Sequence, residues 1–359
     1  MKFTIANGRN LTPPTPLSDL REGGEILFSS LTGGGNTFLP VDGEGQGAGG
    51  RLSCCKLVAT LLYIKFSVDR KNMSNMPENE DAGDIQLLVL DIDGTLAGES
   101  NQIREPVKQA IKAVQAKGVK VAIATGRMYR SALRFHQDIG SQLPLIVYQG
   151  AWIQDPATQK ILRHLPVSKK LALQLLDYFE RPELRSLLSV HFYINDRLYV
   201  RQITPETEIY AERSGIEPIP VGDLRLALSA DDGQDVHPTK VLALSDDIDT
   251  IELLLGSLRQ QYTPAELYLT KSVATFFEAT NPLVNKGTAV RYLAEDILGL
   301  QASNVMAVGD NYNDVEMLEY AGIGVAMENG PSDVQAIAHW VAPSVEDDGV
   351  VAAIEKFLL

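Results

Sequence analysis

From Ile85 onward, short apolar runs alternate with amphipathic helical patterns, and this alternation constrains the fold more than any other feature of the chain. Residues 85–90 predict a fully buried strand, apolar residues then recur at helical spacing up to Val114, and a second apolar run begins at Val119. The same alternation returns in residues 286–359. Strands that are apolar along their whole length and separated by helices are typical of a parallel sheet covered on both faces. The sequence therefore predicts an α/β fold with a doubly wound parallel sheet.

A different pattern separates these two halves. Residues 187–203 predict an antiparallel hairpin, and further short strands and helices follow it. We therefore expect an α+β module over residues 166–279, inserted into a core formed by residues 84–165 and 280–359. Its length of roughly 110 residues is common for a small domain, and an insertion of this kind suits a lid.

Residues 1–83 have no sustained strand or helix period, and they hold 12 of the 29 glycines. This composition predicts a disordered tail. A stricter hypothesis is that the tail is a spurious extension and that translation starts at Met73 or Met76. A targeting segment is the weaker alternative, because the one apolar patch begins more than 50 residues from Met1 and no basic region stands at the chain start.

Composition excludes several classes of protein. The chain has 32 Lys and Arg against 46 Asp and Glu, a net charge of −14, and no basic stripe that nucleic-acid phosphates would need. No apolar run approaches the roughly 18 residues of a membrane span. The two cysteines, Cys54 and Cys55, are adjacent and form neither a disulfide framework nor a zinc site. We expect a cytoplasmic protein without nucleic-acid or membrane partners.

The first chemical motif ends the first predicted strand, in Asp91-Ile92-Asp93-Gly94. Residues two apart on an extended backbone project to the same side, so both carboxylates face one space, and Gly94 permits a sharp turn after them. That space lies beyond the carboxyl end of a parallel strand, where ligands bind in open α/β sheets. An acidic turn is the alternative, and it is the more common explanation of this motif taken alone.

Two further motifs suit a phosphate group. Thr125-Gly126 ends the second strand and offers a hydroxyl donor and a close backbone approach. Lys286 opens a helix, where the helix dipole disfavours a cation unless an anion is bound nearby. An ordinary helix N-cap and a solvated lysine are the alternatives, each the more common structure by itself.

The fourth motif supplies two more carboxylates. Asp310 ends the predicted strand 305–308, and Asp314 lies four residues on, so a helical turn between them would place both on one side. Asp91, Asp93, Asp310 and Asp314 would then converge at adjacent strand ends and repel one another. A divalent cation resolves this conflict, and oxygen-only ligands favour Mg2+ over zinc.

These four motifs, in this order and at these strand ends, resemble those of the haloacid dehalogenase-like hydrolase superfamily over residues 84–359. The spacing of Asp310, Asn313 and Asp314 is similar to the Cof-type branch, whose cap is of the α+β kind (type IIB). The resemblance implies a Rossmann-like core with an inserted cap domain. The chain departs from the pattern at Gln149, where many Cof-type proteins have asparagine.

The resemblance also implies a role for each motif residue. Asp91 would be the nucleophile that becomes an aspartyl phosphate, and Asp93 the general acid and base. The remaining implied roles are these: Thr125, Gly126 and Lys286 hold the phosphoryl oxygens; Asp310 binds Mg2+ together with Asp91 and the backbone carbonyl of Asp93; Asp314 ligates or orients the ion; Asn313 and Gly94 lie beside the substrate or behind the ligands.

The sequence thus predicts a Mg2+-dependent phosphatase of small phosphorylated metabolites, with sugar phosphates first and nucleotide or cofactor phosphates next. A sugar phosphomutase is the nearest alternative, and a phospho-accepting receiver domain is a more distant one. Nothing in the sequence indicates an oligomeric state. The further candidates for substrate contact are His191, Tyr193, Arg197 and Arg201 in the predicted hairpin and Arg127 and Arg130 after the second motif. A half-buried hairpin surface and solvent-facing arginines are the favoured explanations of these six.

Overall fold

The strands and helices follow the predicted alternation in a computed structural model that describes residues 84–229, 236–271 and 273–359. The predicted tail, residues 1–83, lies outside this described part. The described chain contains fourteen strands: β1 (Leu87–Leu90), β2 (Lys120–Ile123), β3 (Leu145–Val147), β4 (Trp152–Gln154), β5 (Ile161–His164), β6 (Ser189–Ile194), β7 (Arg197–Val200), β8 (Pro218–Pro220), β9 (Lys240–Leu244), β10 (Tyr268–Thr270), β11 (Phe276–Thr280), β12 (Val305–Gly309), β13 (Ile323–Met327) and β14 (Trp340–Ala342).

Ten α-helices connect these strands in the described part: α1 (Glu105–Ala116), α2 (Tyr129–Asp138), α3 (Lys169–Phe179), α4 (Pro205–Ser214), α5 (Leu224–Ala227), α6 (Ile248–Gln261), α7 (Lys286–Arg291), α8 (Val315–Tyr320), α9 (Ser332–Gln335) and α10 (Gly349–Phe357). A π-helical turn, Tyr292–Ile297, continues α7, and short 3-10 turns cover Tyr148–Gly150 and Tyr312–Asp314. None of the described helices has the length and apolar character to cross a membrane.

A five-stranded parallel sheet, in the order β14-β13-β12-β1-β2, forms the centre of the fold. Strand β1 pairs with β12 on one side and with β2 on the other, and all four of its residues are buried. Burial on both faces explains why β1 is a continuous apolar run without alternation. The prediction of a doubly wound α/β sheet is confirmed, and the carboxyl ends of β1, β2 and β12 lie side by side.

A separate six-stranded sheet, in the order β10-β11-β9-β6-β7-β8, follows later in the chain. Its strand pairs are antiparallel except for β7 with β8. The predicted hairpin forms β6 and β7, and the predicted strands near residues 241, 267 and 275 form β9, β10 and β11. The boundaries of an inserted module at residues 166 and 279 stay a prediction. We call the segment that carries this sheet, from β6 to β11, the cap.

Several elements of the described chain were not predicted, among them two β-strands near the site and one helix of the cap. Strands β3, β4 and β5 form a small antiparallel sheet, in which only β3 was expected. Helix α4 was also missed, although Thr204 caps its first turn, Pro205 opens it and Gly215 ends it at φ 66°. Only Thr207 and Ala211 of α4 are buried, so the helix has too narrow an apolar face to produce a helical period in the sequence.

Candidate active site

Asp91 and Lys286 meet in the buried centre of the site. Asp91 follows the last residue of β1 and is 4% exposed, and Lys286 is fully buried at the start of α7. The Lys286 Nζ lies 2.6 Å from the Asp91 Oδ1 and 2.5 Å from the Asp314 Oδ1. A Cβ at Gly287 would lie 2.4 Å from the backbone oxygen of Glu316, so glycine lets α7 approach α8 closely enough to make these contacts.

Asp314 organises the turn after β12. Its Oδ2 accepts hydrogen bonds from the backbone N–H groups of Asp310 and Asn311, at 2.9 and 3.0 Å, while its Oδ1 accepts one from Lys286. These bonds fix the 3-10 turn that brings Asp310 and Asp314 to one side, as the spacing of the two residues predicted. Asp314 therefore acts first as the carboxylate that holds Lys286 and the turn in place.

Three carboxylates converge here: oxygens of Asp91, Asp310 and Asp314 all lie within 4.8 Å of one another. Burial raises the pKa of Asp91 to about 7, with Asp314 and Asp93 adding to the rise and Lys286 opposing it. Burial likewise raises the pKa of Asp310 to about 8, with further contributions from Asp314 and Asp91. Three carboxylates against one ammonium leave an excess of negative charge. An all-oxygen set with this charge fits a hard divalent cation such as Mg2+.

The loop after β1 packs tightly against this cluster. Gly94 has φ 80°, a conformation that L side chains rarely adopt, and a Cβ there would lie 2.3 Å from the Asp310 Oδ2. Glycine thus lets the backbone that carries Asp93 pass beside the Asp310 carboxylate.

Asp93, the fourth predicted carboxylate, is not part of this group of three and pairs with Arg127. Arg127 donates from Nε to the Asp93 Oδ2 at 2.8 Å and from Nη2 to the Asp93 Oδ1 at 2.6 Å. Burial, the largest single influence, raises the pKa of Asp93, but the hydrogen bonds and charge of Arg127 outweigh it, so this pKa lies below its usual value.

The prediction that Arg127 faces solvent is wrong, because its side chain is only 10% exposed. The sequence around Arg127 contains nothing that indicates a pairing with Asp93. Arg130 is the more exposed of the two arginines and pairs with Asp196 at 3.2 Å.

Gln149 links the second and fourth motifs. Its backbone N–H donates to the Thr125 carbonyl at 3.0 Å, and its side-chain Oε1 accepts from the Asn313 Nδ2 at 3.1 Å. Its own amide nitrogen donates to the Glu278 Oε2 at 3.4 Å. Gln149 adopts φ 60°, ψ 19°, a left-handed conformation that asparagine adopts more readily than glutamine. The longer side chain thus reaches both Asn313 in the core and Glu278 in the cap.

Thr125 and Gly126 lie in the loop that Gln149 supports. Thr125 is buried, and its hydroxyl oxygen accepts the Arg127 backbone N–H at 3.2 Å. The Gly126 carbonyl accepts a hydrogen bond at 3.2 Å from the Nζ of Lys240, a buried residue of β9. Lys240 also lies 3.5 Å from the Glu278 carboxylate.

Lys240 and Glu278 are functional candidates that the sequence analysis missed. Both are almost fully buried in cap strands, and they connect the cap to the Thr125 loop and to Gln149. A signal was present only for Glu278, which lies in the strand predicted near residue 275, since a buried charged residue requires a partner.

A cavity of about 400 Å3 opens above these groups. Core residues line it, among them Asp91, Asp93 and Asp310, and so do cap residues of α4, of β9 and of the segment that leads into β11. The four hairpin candidates, His191, Tyr193, Arg197 and Arg201, are not among its lining residues.

Comparison with known proteins gives matches over the same region. A family model described as haloacid dehalogenase-like hydrolase matches residues 88–354. Among the curated relatives, the 5-amino-6-(5-phospho-D-ribitylamino)uracil phosphatase YitU of Bacillus subtilis is 28% identical over 76% of this chain and 97% of its own. The phosphatase YwpJ of the same organism is 27% identical over 76% of this chain and 100% of its own.

A solved structure extends the likeness to the fold. It is that of a HAD subclass IIB sugar phosphatase, with a TM-score of 0.63 and 22% identity. The match covers 76% of this chain and 98% of that one.

Proposed function

Because the chain belongs to the haloacid dehalogenase-like hydrolase family, we propose that it is a Mg2+-dependent phosphatase of small phosphomonoesters that acts through an aspartyl phosphate at Asp91. The α+β type of cap that the motifs predicted is confirmed by the fold. The observation that carries the proposal is the buried group of Asp91, Lys286 and Asp314, with Asp310 beside it. The proposal retains the predictions of a cytoplasmic enzyme and of a small phosphorylated metabolite as its partner.

In the proposed reaction Asp91 attacks phosphorus. The Asp91 carboxylate oxygen forms a bond to phosphorus while the ester oxygen leaves as the alcohol, with a proton from Asp93. Water then attacks the phosphorus of the aspartyl phosphate, gives a proton to Asp93, and the bond between phosphorus and the Asp91 oxygen breaks. Lys286, charged because Asp314 and Asp91 outweigh the effect of its burial on its pKa, holds phosphoryl oxygens throughout.

The phosphoryl group needs donors and countercharge, since a phosphate monoester brings two negative charges toward a carboxylate. Thr125, whose hydroxyl accepts from the Arg127 N–H, would donate its own hydrogen to a phosphoryl oxygen. Mg2+, held by Asp91 and Asp310 with Asp314 behind them, would supply the remaining positive charge.

Asp93 requires different protonation states in the two steps. Arg127 keeps the pKa of the Asp93 carboxyl low, which suits the base that accepts a proton from water. An approaching phosphoryl group is negatively charged and favours the protonated carboxyl, which suits the acid. Arg127 also fixes the orientation of this carboxylate through two parallel hydrogen bonds, and it is therefore a positioning residue.

For the substrate we propose a small phosphorylated metabolite; the order that the sequence predicted, sugar phosphates before nucleotide or cofactor phosphates, stays a prediction. The names of the relatives support small phosphorylated metabolites as a class, since one of them acts on the phosphate of a ribityl chain.

The test is a panel of phosphomonoesters assayed with Mg2+ and with chelator, for the wild type and Asp91→Asn. We expect inorganic phosphate to be released only with metal, and Asp91→Asn to lower kcat by about 10³-fold or more. Asp138→Asn, an exposed aspartate that pairs with Lys108, is the matched control and should retain activity.

Both variants should unfold at nearly the wild-type temperature. The amide in Asp91→Asn relieves repulsion in the carboxylate cluster, and Asp138 is an exposed residue. Full activity of Asp91→Asn, with deamidation excluded by mass spectrometry, would refute the nucleophile. An isomerised sugar phosphate in place of inorganic phosphate would instead identify a mutase.

A further inference from the structure

The cap contributes an apolar group of side chains to the cavity, beside several polar ones. This group, which we call the apolar wall, consists of Ile209 and Tyr210 of α4, Leu244 at the end of β9, Val273 in the loop before β11, and Phe276 at the start of β11. Tyr210 and Phe276 pack edge to face, with ring centroids 5.9 Å apart. The wall lines the same cavity as the carboxylates of the site, so the leaving group of an ester bound there can reach it.

Two members of the wall are exposed to solvent. Ile209 is 68% exposed and Val273 is 48% exposed. A single exposed aliphatic residue needs no explanation, but here two of them share one cavity with two aromatic rings. Covering such apolar surface inside a ligand cavity is favourable only when the group that covers it is itself apolar.

Several polar residues at the edge of the cavity are already engaged. Glu206 accepts from Ser189, and Ser245 accepts the backbone N–H of Asp247. A hydroxyl of the leaving group that lies against the aliphatic side chains of the wall would lose its water partners without gaining others, which is costly. A ring with an apolar face has no such penalty.

One buried donor lies at the junction between the wall and the phosphate site. The Nη1 of Arg127 is buried and has no hydrogen-bond partner among the described residues, although the other two guanidinium nitrogens are engaged. Arg213 of α4 also lines the cavity. Polar atoms on the edge of a ring, or on the short chain that joins it to the ester oxygen, could accept hydrogen bonds from these guanidinium groups.

We infer that the preferred substrates are phosphomonoesters whose leaving group carries an aromatic or heteroaromatic ring on a short linker, with the ring packed on the apolar wall. The cavity of about 400 Å3 is within the size range of sites that bury a small organic molecule, so it has room for more than the phosphoryl group. The inference rests on the proposed phosphatase function and adds to it the chemistry of the leaving group.

A pair of synthetic esters isolates the ring: 2-phenylethyl phosphate and ethyl phosphate have similar primary alkoxide leaving groups and differ in the phenyl group. We expect kcat/KM for the phenylethyl ester to be about tenfold higher or more, the scale of discrimination that hydrophobic pockets achieve. Equal values of kcat/KM for the two esters would overturn the inference.

Substitutions then assign the preference to the wall. Ile209→Ser and Val273→Ser should each lower the ratio of kcat/KM values for the two esters by about threefold or more, and Ile209→Leu should preserve it. Leu253→Ser is the matched control, because Leu253 is 72% exposed on cap helix α6 and does not line the cavity. If Leu253→Ser changes the ratio as much as Ile209→Ser does, the wall is not the cause and the inference fails.

Binding separates this inference from the proposed function. The matching phosphonates, 2-phenylethylphosphonate and ethylphosphonate, cannot be hydrolysed, and their affinities are measured by calorimetry in the presence of Mg2+. Tighter binding of the ring phosphonate that is lost in Ile209→Ser, without turnover of either ester, would support the wall and refute the phosphatase. Turnover of both esters with equal affinity for both phosphonates would refute the wall and leave the phosphatase standing.

Discussion

A single arginine determines what Asp93 can do. The guanidinium of Arg127 contacts both oxygens of that carboxylate, donates to the Asn101 Oδ1 at 2.7 Å and lies 4.7 Å from the centre of the Phe135 ring. These contacts hold the planar guanidinium in one orientation. Because the Asp93 carboxylate is bonded to it through both oxygens, its orientation is fixed as well. Lysine could supply the charge but not the two parallel hydrogen bonds.

We predict that Arg127 acts on catalysis through Asp93. Arg127→Met should lower kcat by about 10²-fold, the usual cost of a misplaced catalytic group, and Arg127→Lys should restore little of it. In an Asp93→Asn background the same substitution should cost less than about threefold, because the carboxylate that it positions is gone. The measurement is a double-mutant cycle on kcat.

Arg130→Met is the control for this cycle, since Arg130 pairs with Asp196 rather than with Asp93. An equal loss from Arg127→Met in both backgrounds would contradict the prediction, because it would show that the effect of Arg127 on kcat does not depend on its pairing with Asp93.

At the scale of elements, one buried histidine joins helix α4 to the cap sheet. His191 of β6 is fully buried, and its Nε2 lies 2.9 Å from the Thr207 Oγ1 of α4. Burial, together with the charge of Lys240, lowers the pKa of His191 to about 3, so the junction contains a neutral imidazole. Tyr210 of the apolar wall packs against the same ring, at 5.3 Å between centroids. The position of the wall thus depends on this junction.

We predict that His191 makes the fold sensitive to acid. Its pKa in the folded protein lies below its ordinary value of 6.5, so its contribution to stability is complete above about pH 6.5 and is lost as the pH falls toward about 3. The loss approaches about 1.4 kcal/mol per pH unit over that window. His191→Gln should therefore flatten the pH dependence of the free energy of unfolding, measured in urea between about pH 7 and pH 5.

The exposed His237 provides the comparison. His237→Gln should retain the wild-type slope of unfolding free energy against pH, and parallel slopes for wild type and His191→Gln would show that another group is responsible.

At the scale of the whole molecule, the described parallel sheet and the cap both line the cavity. The residues that we propose as nucleophile, general acid and metal ligands follow the ends of β1 and β12, and Lys286 comes from the helix that follows the cap in sequence. The family model covers residues 88–354, which include all of these elements.

A chain that begins at Met76 should therefore behave like the full chain. It keeps every motif, every strand and helix named above, and the whole of the family match. We expect its thermal midpoint to stay within about 2 °C of the full-length value, less than a stability change of 1 kcal/mol would produce, with kcat unchanged. A clear loss of either quantity would show that residues 1–75 stabilise the enzyme.

The sequence predicted those parts of this architecture that have local signals. Buried strands appear as apolar runs, and motif residues at their carboxyl ends are brought together by parallel pairing, which is why Asp91 and Asp310 were identified. Lys286 was identified from its position at the start of a helix. The contact between Lys240 and Gly126 spans 114 residues and has no local signal. Helix α4 has a capping residue at each end, Thr204 and Gly215, but its apolar residues do not recur at helical spacing, and hydrophobic periodicity therefore did not predict it.

The contacts of Lys240 and Glu278 with the core also bear on how such enzymes could be recombined. The Gly126 carbonyl and the Gln149 amide, both in core loops, find their partners on cap strands β9 and β11. A chimera that receives the cap of a relative without equivalents of that lysine and glutamate would bury two unpaired polar groups next to its catalytic loop. The unit of exchange is therefore the cap together with residue 149. Libraries of shuffled domains should keep positions 149, 240 and 278 from the same parent.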